Sequence, residues 1–260
     1  MDIEQLAQRQ LSDYDRHQPG SLFQSAIKMS IPDAYALQRA VVLLREARGE
    51  AVAGYKIGCV SRAVQDQLGL DRPVFGHVFE TEMRRSGVVL DPAHFEGLAI
   101  EGELAVRMAR DIPSAEWLLR HPEEAVCSFF AVIELHNYVF RRTPRTAQEL
   151  IANNAIHAGV VVPASEPPLS QPDVLISASI TVSKNGFVLG SADGTALPGG
   201  PLGGVVRLVE HLAAFGCILR RGQIVLTGSP LPLYPVAPGD GIQVSGDGSQ
   251  TLSCLISRPN

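Results

Sequence analysis

Cysteine is scarce in this chain of 260 residues. Only four cysteines are present, far apart and without a Cys-x-x-Cys pair: Cys59, Cys127, Cys217 and Cys254. Closely spaced cysteine pairs are typical of structural zinc sites, so this spacing argues against such a site. The spacing does not indicate a disulfide framework either.

Long apolar runs and long basic runs are also missing. No apolar run reaches the roughly 18 residues needed to cross a bilayer, so we expect no membrane-spanning helix. The net charge is −5, and without a basic run there is no electrostatic case for nucleic acid as a partner. The first ten residues, MDIEQLAQRQ, are polar and charged, unlike a secretory signal. We therefore expect a soluble cytoplasmic protein.

The chain has helical and strand-like patterns in separate parts. Residues 1–50 carry loose helical apolar stripes, whereas strand-like runs and turns follow from Val52 onward. Residues 146–157 predict one further helix. The repeated strand–helix alternation of a doubly wound sheet is missing. The pattern predicts an α+β fold with a helical N-terminal region, 1–50, and one β-rich catalytic body, 51–260.

Two glutamates stand two residues apart in the stretch LAIEGELAVRM, residues 98–108. Side chains of a β-strand alternate between two faces, so Glu101 and Glu103 point the same way. Carboxylates this close repel each other, and one is pushed towards its protonated form unless a positive group or water shares the site. On spacing alone, the favoured interpretation is two glutamates on the wet face of an edge strand, and the alternative is a functional site.

Two further residues are candidates for the same site. Glu134 lies in a second apolar run, AVIEL, and would add a third carboxylate. All-oxygen ligation of this kind suits a hard divalent cation, Mg²⁺ or Mn²⁺ rather than Zn²⁺. Lys56 lies in the middle of the apolar run VAGYKIGCV. Its side chain either snorkels to the surface or is held near a buried acid.

A small basic cluster follows the second run, at Arg141, Arg142 and Arg145. The alternatives for this cluster are a solvated loop and a contact with a carboxylate or another subunit. The glycine-rich segment GGPLGG, residues 199–204, lacks the lysine of a phosphate-binding loop and the dinucleotide spacing. It therefore predicts an ordinary helix start.

The order of these motifs resembles that of the 2-keto-4-pentenoate hydratase family, within the fumarylacetoacetate hydrolase superfamily. The resemblance covers nearly the whole chain, in the segments AYALQRAVVLLR, GYKIGCVSRAVQDQLGLDRPVFG, the Glu-x-Glu strand, AVIEL, ANNAIHAGVVV, GGPLGGVVRLVEHLAAFG and VLTGSPLPLYPVAPGD. It implies a body of mixed, rolled β-sheets like the C-terminal domain of fumarylacetoacetate hydrolase. It also implies a homo-oligomer, with a decarboxylase homologue as a further candidate partner.

The resemblance assigns roles to individual residues. The roles it implies are binding of Mg²⁺ or Mn²⁺ by Glu101, Glu103 and Glu134, catalysis by Lys56, and binding of a small 2-oxo acid substrate by Thr227, Gly228 and Ser229.

The chain departs from the family pattern at Val74, Asn153 and Ile156, where the family often has an acid, a second acid and a hydroxyl. His77 and His157 lie beside these changes. We predict that His157 takes a catalytic role in their place, with a structural or exposed histidine as the alternative. We expect these changes to alter the groups that transfer protons, and so the exact reaction, more than the fold. The three glutamates that the resemblance assigns to the metal are retained.

The resemblance implies a metal-dependent hydratase of aromatic catabolism. Such an enzyme adds water to a 2-hydroxy-2,4-dienoate, or its 2-oxo-4-enoate form, and yields a 4-hydroxy-2-oxo acid. The metal would stabilise the enolate charge of a chelated 2-oxo acid. The same chemistry serves decarboxylation of 2-oxo diacids and hydrolysis of acylpyruvates, which stay open. A non-catalytic partner or a binder of oxo acids is the alternative from another class.

Overall fold

Two β-sheets organise this chain in the computed structural model, which describes residues 2–24, 27–140, 145–247 and 250–258. The α-helices among these residues are α1 (Ile3–Asp15), α2 (Ile31–Ala47), α3 (Arg62–Leu68), α4 (Ala115–Arg120), α5 (Pro122–Ala125), α6 (Ala147–Ala152), α7 (Val174–Ser177) and α8 (Gly200–Ala214). The β-strands are β1 (Val52–Gly58), β2 (Val74–Phe79), β3 (Met83–Arg85), β4 (Val88–Leu90), β5 (Ala99–Met108), β6 (Val126–His136), β7 (His157–Val162), β8 (Ser179–Lys184), β9 (Phe187–Asp193), β10 (Ile224–Leu226), β11 (Tyr234–Pro235), β12 (Gly241–Gly246) and β13 (Leu252–Ile256). The predicted α+β class is confirmed.

Helices α1 and α2 pack against each other and against α6. Ser30 and Asp33 form a reciprocal capping box at the start of α2, which satisfies backbone N–H groups that have no partner within the helix. The apolar faces of the three helices join in one hydrophobic cluster, which includes Ala7, Leu37 and Ile151. This cluster fixes the position of α6 and of the segment that follows it.

The larger sheet has the strand order β2-β1-β10-β5-β6-β7-β3, and β11 pairs with the beginning of β5. The sheet is rolled, because β2 contacts β7 although several strands separate them in this order. Its concave side is filled by a second apolar cluster: Val78, Ala105, Phe130, Val132, Val160, Val162, Ile224 and Leu226. Rolling brings side chains from β1 close to those from β5 and β6.

The smaller sheet has the order β4-β13-β12-β8-β9 and packs on the convex side of the larger one. The two sheets approach so closely at Gly102 that a Cβ there would lie 2.4 Å from Val182 Cγ2. Glycine is therefore needed between the two glutamates of β5. Helix α8 packs onto the same core with Val205, Leu208 and Val209, as an ordinary helix after its glycine-rich start.

The predicted helix over residues 146–157 is wrong in its second half. Helix α6 ends at Ala152, and the segment Asn154–Ile156 then takes left-handed backbone conformations, with φ of 55°, 52° and 58°. Strand β7 begins directly afterwards, at His157. A right-handed helix cannot continue through left-handed residues, so the apolar pattern of this segment reflects burial rather than helical periodicity.

Three further predictions concern a membrane-spanning helix, the arginine cluster and the boundary at residue 50. Among the described residues, no helix is long and apolar enough to cross a bilayer. Arg141 and Arg142 lie outside the described residues, and Arg145 lies within them. The boundary between a region 1–50 and a body 51–260 stays a prediction.

Candidate metal and substrate site

Four polar side chains meet where β5 and β6 pair. The strands are antiparallel, with Glu101 opposite Glu134 and Ala99 opposite His136. Glu103 follows Glu101 by two residues and His136 follows Glu134 by two. All four side chains therefore project from one face of the sheet. The predicted strand around the glutamate pair is confirmed.

Glu134 is fully buried, and two nitrogen atoms of other side chains lie close to one of its oxygens. His157 Nδ1 lies 2.7 Å from Oε1, and Lys56 Nζ lies 3.3 Å from the same atom. Burial raises the pKa of a carboxyl group, but Lys56 and His136 hold the pKa of Glu134 below its ordinary value. Glu134 is therefore an anion at neutral pH.

Lys56 lies in β1, and its ammonium group is buried beside these acids. Nζ donates a hydrogen bond to the carbonyl oxygen of Ala155 at 3.1 Å. Burial lowers the pKa of an ammonium group, but the three glutamates of the site raise the pKa of Lys56 above its ordinary value. Lys56 therefore stays charged, and the alternative that held it near a buried acid is confirmed.

Glu103 is the other fully buried acid of the site. Its Oε2 accepts a hydrogen bond from the backbone N–H of Gly228 at 2.9 Å. Burial and the neighbouring charge of Glu134 raise the pKa of Glu103 well above its ordinary value. Of the two fully buried acids, Glu103 and Glu134, Glu103 is therefore the one that takes up a proton more easily.

The chemistry of these side chains fits a divalent cation. Glu101, Glu134 and His136 each offer one ligand atom, and these atoms lie within 4.8 Å of one another. Several buried atoms have no hydrogen-bond partner among the described residues: Glu103 Oε1, Glu134 Oε2 and both ring nitrogens of His136. Leaving buried polar atoms unpaired costs free energy, and a cation bound between them would remove that cost.

His136 is the member of this group that was not predicted from the sequence. It stands two residues after Glu134 in AVIELH. The alternation that groups Glu101 with Glu103 also groups His136 with Glu134, so the signal was present in the sequence. The three predicted metal ligands lie in one site, but the group whose ligand atoms lie within 4.8 Å of one another contains His136 rather than Glu103.

A strained turn holds the acceptor of Lys56 in place. The segment Asn154–Ile156 has three consecutive left-handed residues, and that conformation is unfavourable for a β-branched residue such as Ile156. The Asn154 side chain accepts a hydrogen bond from the backbone N–H of His77 at 2.7 Å and donates one to its carbonyl at 2.8 Å. These two bonds link the turn to β2.

A cavity of about 530 Å³ opens at the edge of the group. Its charged end is formed by Lys56, Glu101 and His136. Its walls are mostly apolar, with side chains of Val60, Val64, Leu68, Val74, Leu150, Ile156, Leu231 and Leu233. An apolar cleft of this size with a few convergent polar groups is typical of a small-molecule site.

Known proteins share both the sequence pattern and this architecture. The family described as "Fumarylacetoacetate (FAA) hydrolase C-terminal" matches residues 51–257. The chain belongs to the fumarylacetoacetate hydrolase superfamily. Within it, the chain is 30% identical to the 2-hydroxyhexa-2,4-dienoate hydratase of Comamonas testosteroni over 244 residues, 89% of this chain and 88% of the relative. It is 32% identical to the 2-keto-4-pentenoate hydratase of Burkholderia vietnamiensis over 203 residues, 78% of this chain and 77% of the relative. The predicted 2-keto-4-pentenoate hydratase family is confirmed.

A solved structure of the superfamily shows a similar fold over nearly the whole chain. The 4-oxalocrotonate decarboxylase from Pseudomonas putida G7, complexed with magnesium and adipate, superposes with a TM-score of 0.89 at 25% identity. The match covers 98% of this chain and 97% of the other. The predicted body of rolled, mixed sheets is therefore confirmed.

The three predicted substrate-binding residues of this family member take different positions. Thr227 is buried, and its hydroxyl donates a hydrogen bond to the Leu104 carbonyl at 2.8 Å. The N–H of Gly228 is bonded to Glu103, whereas Ser229 lines the cavity. In this arrangement Ser229 is accessible to a molecule in the cavity. The predicted substrate role of all three residues stays a prediction.

His157 lies behind Glu134 rather than in the cavity wall. Its side chain has no exposed surface, and its Nε2 lies 3.9 Å from Glu82 Oε2 on the side away from Glu134. Because Nδ1 is 2.7 Å from Glu134, the ring is placed to orient that carboxylate. Its predicted catalytic role stays a prediction.

The positions that depart from the family pattern separate into two groups. Val74 and Ile156 line the cavity, so their apolar side chains bear on the substrate. Asn153 donates a hydrogen bond to the Glu149 carbonyl at 2.8 Å and is buried under α1, away from the cavity. His77 lines a different cavity, of about 470 Å³, and burial lowers its pKa to about 4, so it stays neutral there.

Proposed function

We propose that this chain is a divalent-metal-dependent hydro-lyase. It adds water to a 2-hydroxy-2,4-dienoate, or to its 2-oxo-4-enoate form, and yields a 4-hydroxy-2-oxo acid. The observation that carries the proposal is the charged end of the cavity, where an ammonium group lies beside side chains that could hold a metal, in a cleft with mostly apolar walls. The two relatives named as hydratases support this choice of reaction.

The substrate's orientation follows from the polarity of the cavity. The carboxylate and the 2-oxo oxygen carry the negative charge of a 2-oxo acid, so they bind at the charged end. The hydrocarbon part then lies along the apolar walls, where Val74 and Ile156 contribute. Those walls would place the conjugated carbons against apolar side chains, away from bulk water.

The metal would be held by the carboxylates of Glu101 and Glu134, with Glu103 beside them. When bound, the cation would supply positive charge beside the carboxylate and 2-oxo groups of the substrate. We propose Mg²⁺ or Mn²⁺. The magnesium in the structure of the decarboxylase relative supports a divalent ion.

Lys56 supplies the chain's own positive charge at this end. Because its pKa is raised, it acts as a permanent ammonium donor and not as a base. Its hydrogen bond to the Ala155 carbonyl fixes the direction of the side chain. One of its remaining N–H groups is free to stabilise the negative charge that develops on the 2-oxo oxygen when the dienol ketonises.

The direct test is turnover of a 2-hydroxydienoate. Purified protein with Mg²⁺ or Mn²⁺ should remove the conjugated absorbance of the substrate, and the product should be identified as the 4-hydroxy-2-oxo acid. Chelation with EDTA should stop the reaction, and added metal should restore it. Loss of absorbance without incorporation of water, or no turnover with either ion, would refute a hydratase.

Decarboxylation of a 2-oxo diacid is the second candidate, because of one residue in the cavity wall. Arg145 lies with its guanidinium 4.8 Å from the centre of the Tyr138 ring and 5.6 Å from that of Phe140. All three residues line the cavity, and the ion pairs found among the described residues do not include Arg145. A second carboxylate on the substrate could pair with it. The structural likeness to 4-oxalocrotonate decarboxylase adds support.

The two candidates are separated by the product and by one variant. A decarboxylase would release carbon dioxide from a 2-oxo diacid, whereas a hydratase would not. Arg145→Gln should raise KM for a diacid and leave KM for a monoacid unchanged if Arg145 binds the second carboxylate. Equal effects on both substrates would exclude that role.

A further inference from the structure

His136 is a buried histidine whose ring lacks hydrogen bonds among the described residues. Only 1% of the residue is exposed, and neither Nδ1 nor Nε2 has a hydrogen-bond partner in the described part of the chain. A buried imidazole normally donates a hydrogen bond from one nitrogen and accepts one at the other. Burying this ring without hydrogen bonds therefore costs free energy, unless a bound ion or molecule pairs with it.

The atoms nearest to Nε2 are carboxylate oxygens. Glu101 Oε2 lies 3.2 Å away and Glu134 Oε2 lies 3.5 Å away. The other oxygen of Glu134 is already bonded to His157. Glu134 Oε2 has no hydrogen-bond partner among the described residues. Three electron-pair donors therefore converge on one point.

The distances from Nε2 to the two carboxylate oxygens match adjacent positions in one coordination sphere. Ligand atoms about 2.1 Å from an octahedral ion are about 3 Å apart when they occupy adjacent positions. The two contacts of Nε2, 3.2 Å and 3.5 Å, are close to that separation. His136 stands opposite the small residue Ala99 on β5, which leaves room for the ring on this face.

We propose that His136 Nε2 is a direct ligand of the divalent ion held by Glu101 and Glu134, and that this nitrogen shifts the site's preference from Mg²⁺ towards Mn²⁺, Fe²⁺ or Co²⁺. The proposal rests on the proposed function only in that a divalent ion binds at this site. Imidazole nitrogen suits transition metals, whereas Mg²⁺ prefers oxygen ligands, so the choice of ion follows from the ligand set.

The competing explanation is a protonated His136 that pairs with the two carboxylates by charge alone. In that arrangement the ring would be an imidazolium ion and have no lone pair for a metal. The two explanations differ in whether a histidine nitrogen is bonded to the bound ion, which a spectroscopic measurement decides without reference to turnover.

The experiment loads the full-length, metal-stripped protein with Mn²⁺ and records electron spin-echo modulation. Protein labelled with ¹⁵N at histidine only is compared with unlabelled protein, so that coupling from lysine or backbone nitrogen does not interfere. We expect nitrogen coupling in the wild type, with a change from the ¹⁴N to the ¹⁵N pattern in the labelled protein. Bound Mn²⁺ without that change would overturn the ligand assignment.

Two variants identify the histidine. His136→Gln places an amide near the position of Nε2 and should remove the coupling. The matched control is His157→Asn, which replaces the other buried histidine beside Glu134 and keeps a nitrogen donor near Nδ1. It should retain the coupling at saturating Mn²⁺. Coupling lost in His157→Asn and kept in His136→Gln would overturn the proposal.

Metal affinities measured by calorimetry test the selectivity. In His136→Gln the affinity for Co²⁺ should fall by roughly tenfold or more, the size of effect known for weakened metal sites, while Mg²⁺ affinity changes much less. Equal losses for both ions would overturn the selectivity. Failure of the wild type to bind any divalent ion would instead refute the metal dependence of the proposed function. Binding of Mn²⁺ without histidine coupling refutes His136 alone.

Discussion

At the scale of single residues, the site depends on buried charges that compensate each other. Lys56 and Glu134 are both almost fully buried, and each would be costly to bury alone. The contact of 3.3 Å between them keeps both ionised. Within the described ranges Glu103 forms no ion pair of its own, and its pKa is raised instead. Of the two fully buried acids on this face, Glu134 is therefore a fixed negative charge and Glu103 takes up a proton more easily.

Lys56→Met tests whether the ammonium group acts in catalysis. Methionine has a similar length and no charge, so the packing of the stem is kept, while stabilisation of the developing oxygen charge is lost. Glu134 also loses its buried cation, so the free energy of unfolding of the metal-free protein should fall by about 3–5 kcal/mol, and kcat is therefore compared on folded, metal-loaded protein. We expect kcat to fall by roughly 10²–10³-fold, as for other lost electrostatic donors, with metal affinity little changed. Lys184→Met, on strand β8 of the smaller sheet, is the control. A fully active Lys56→Met enzyme would show that the metal alone carries the charge.

Glu103→Gln should have opposite effects on metal binding and on stability. The amide keeps an acceptor for the N–H of Gly228 but removes one negative charge. Calorimetry with Mn²⁺ should show an affinity lower by roughly tenfold or more. The folded-state pKa of Glu103 is raised, so its stabilising effect is lost as pH rises through that pKa. The metal-free variant should therefore melt higher than the metal-free wild type at pH 8.

Unchanged Mn²⁺ affinity in Glu103→Gln would remove Glu103 from the predicted metal ligands. Glu210→Gln, at an exposed position of α8, controls for loss of surface charge. It should leave both the Mn²⁺ affinity and the melting temperature of the metal-free protein unchanged.

At the scale of elements, the turn Asn154–Ile156 connects three parts of the site. Its Ala155 carbonyl holds Lys56, its Ile156 side chain lines the cavity, and β7 begins directly after it. The left-handed conformations are unfavourable in isolation, so contacts with β2 must outweigh them. At Gly76 of β2, a Cβ would lie 2.5 Å from the Asn154 carbonyl oxygen, so the turn also depends on that glycine.

Asn154→Ala should loosen this turn. The change removes two hydrogen bonds to the backbone of His77, and we expect a loss of about 1–3 kcal/mol in the free energy of unfolding. Activity should fall as well, because the acceptor of Lys56 is displaced. Denaturant unfolding and kcat measure the two effects.

Asn185→Ala is the matched control for this variant. Asn185 is also left-handed, with φ of 54°, and its side chain bonds Asp240 and the N–H of Gly241. It lies in the β8–β9 turn, away from the cavity. Its loss should lower stability without changing kcat. An active Asn154→Ala enzyme would show that the turn does not position Lys56.

At the scale of the whole molecule, an ion-pair network joins the N-terminal helices to the β-rich part. Arg45 of α2 pairs with Glu50 and with Glu82, at 2.6 Å and 2.7 Å. Arg48 pairs with Glu50 and, on α1, with Asp15. Networks of several charges contribute more reliably than single surface pairs. This network ties α1 and α2 to the residues that flank β1 and β2.

The network predicts a defined loss of stability in acid. Burial opposes ionisation of Glu50, but Arg45 and Arg48 lower its pKa from 4.5 to about 2. A carboxyl group with a lowered folded-state pKa stabilises the fold above its unfolded pKa, and that contribution is lost as pH falls towards the folded value. Glu50→Gln should therefore cost about 1 kcal/mol at pH 7, and this cost should shrink as pH falls below 4 towards the folded-state pKa of about 2.

Urea unfolding of the metal-free proteins at pH 7, 4 and 3 measures this difference. Glu116→Gln, which breaks an exposed pair with Arg120 on α4, is the control and should have little effect at any pH. A difference between Glu50→Gln and the wild type that does not shrink from pH 4 to pH 3 would contradict the assignment to Glu50.

The predicted homo-oligomer also belongs to this scale. Large apolar side chains are exposed on the smaller sheet, at Val89, Phe187, Val188 and Leu255, and Val89 and Leu255 are neighbours on paired strands. Exposed apolar patches often mark contacts between subunits. Sedimentation equilibrium should give a mass that is a multiple of 27.9 kDa. A mass equal to that of one chain at micromolar concentration would refute the prediction.

Properties that repeat along the chain could be predicted from the sequence alone. Alternation in a strand has a period of two, so the sequence by itself put Glu101 and Glu103 on one face and marked Glu134 as a further carboxylate. The start of α2 at Ser30 could also be predicted, because a capping box involves only residues three positions apart. The order of the motifs identified the family, and with it the rolled sheets.

Tertiary structure alone decided how these local elements meet. The register that sets Glu101 opposite Glu134 arises from pairing of β5 with β6. Lys56 meets Ala155 across 99 positions of the chain, and His77 meets Asn154 across 77. Such contacts override local preference, which is why the predicted helix over residues 146–157 stops at α6. They also place His136 beside the carboxylates and His157 behind them, because burial and charge act between neighbours in space rather than in sequence.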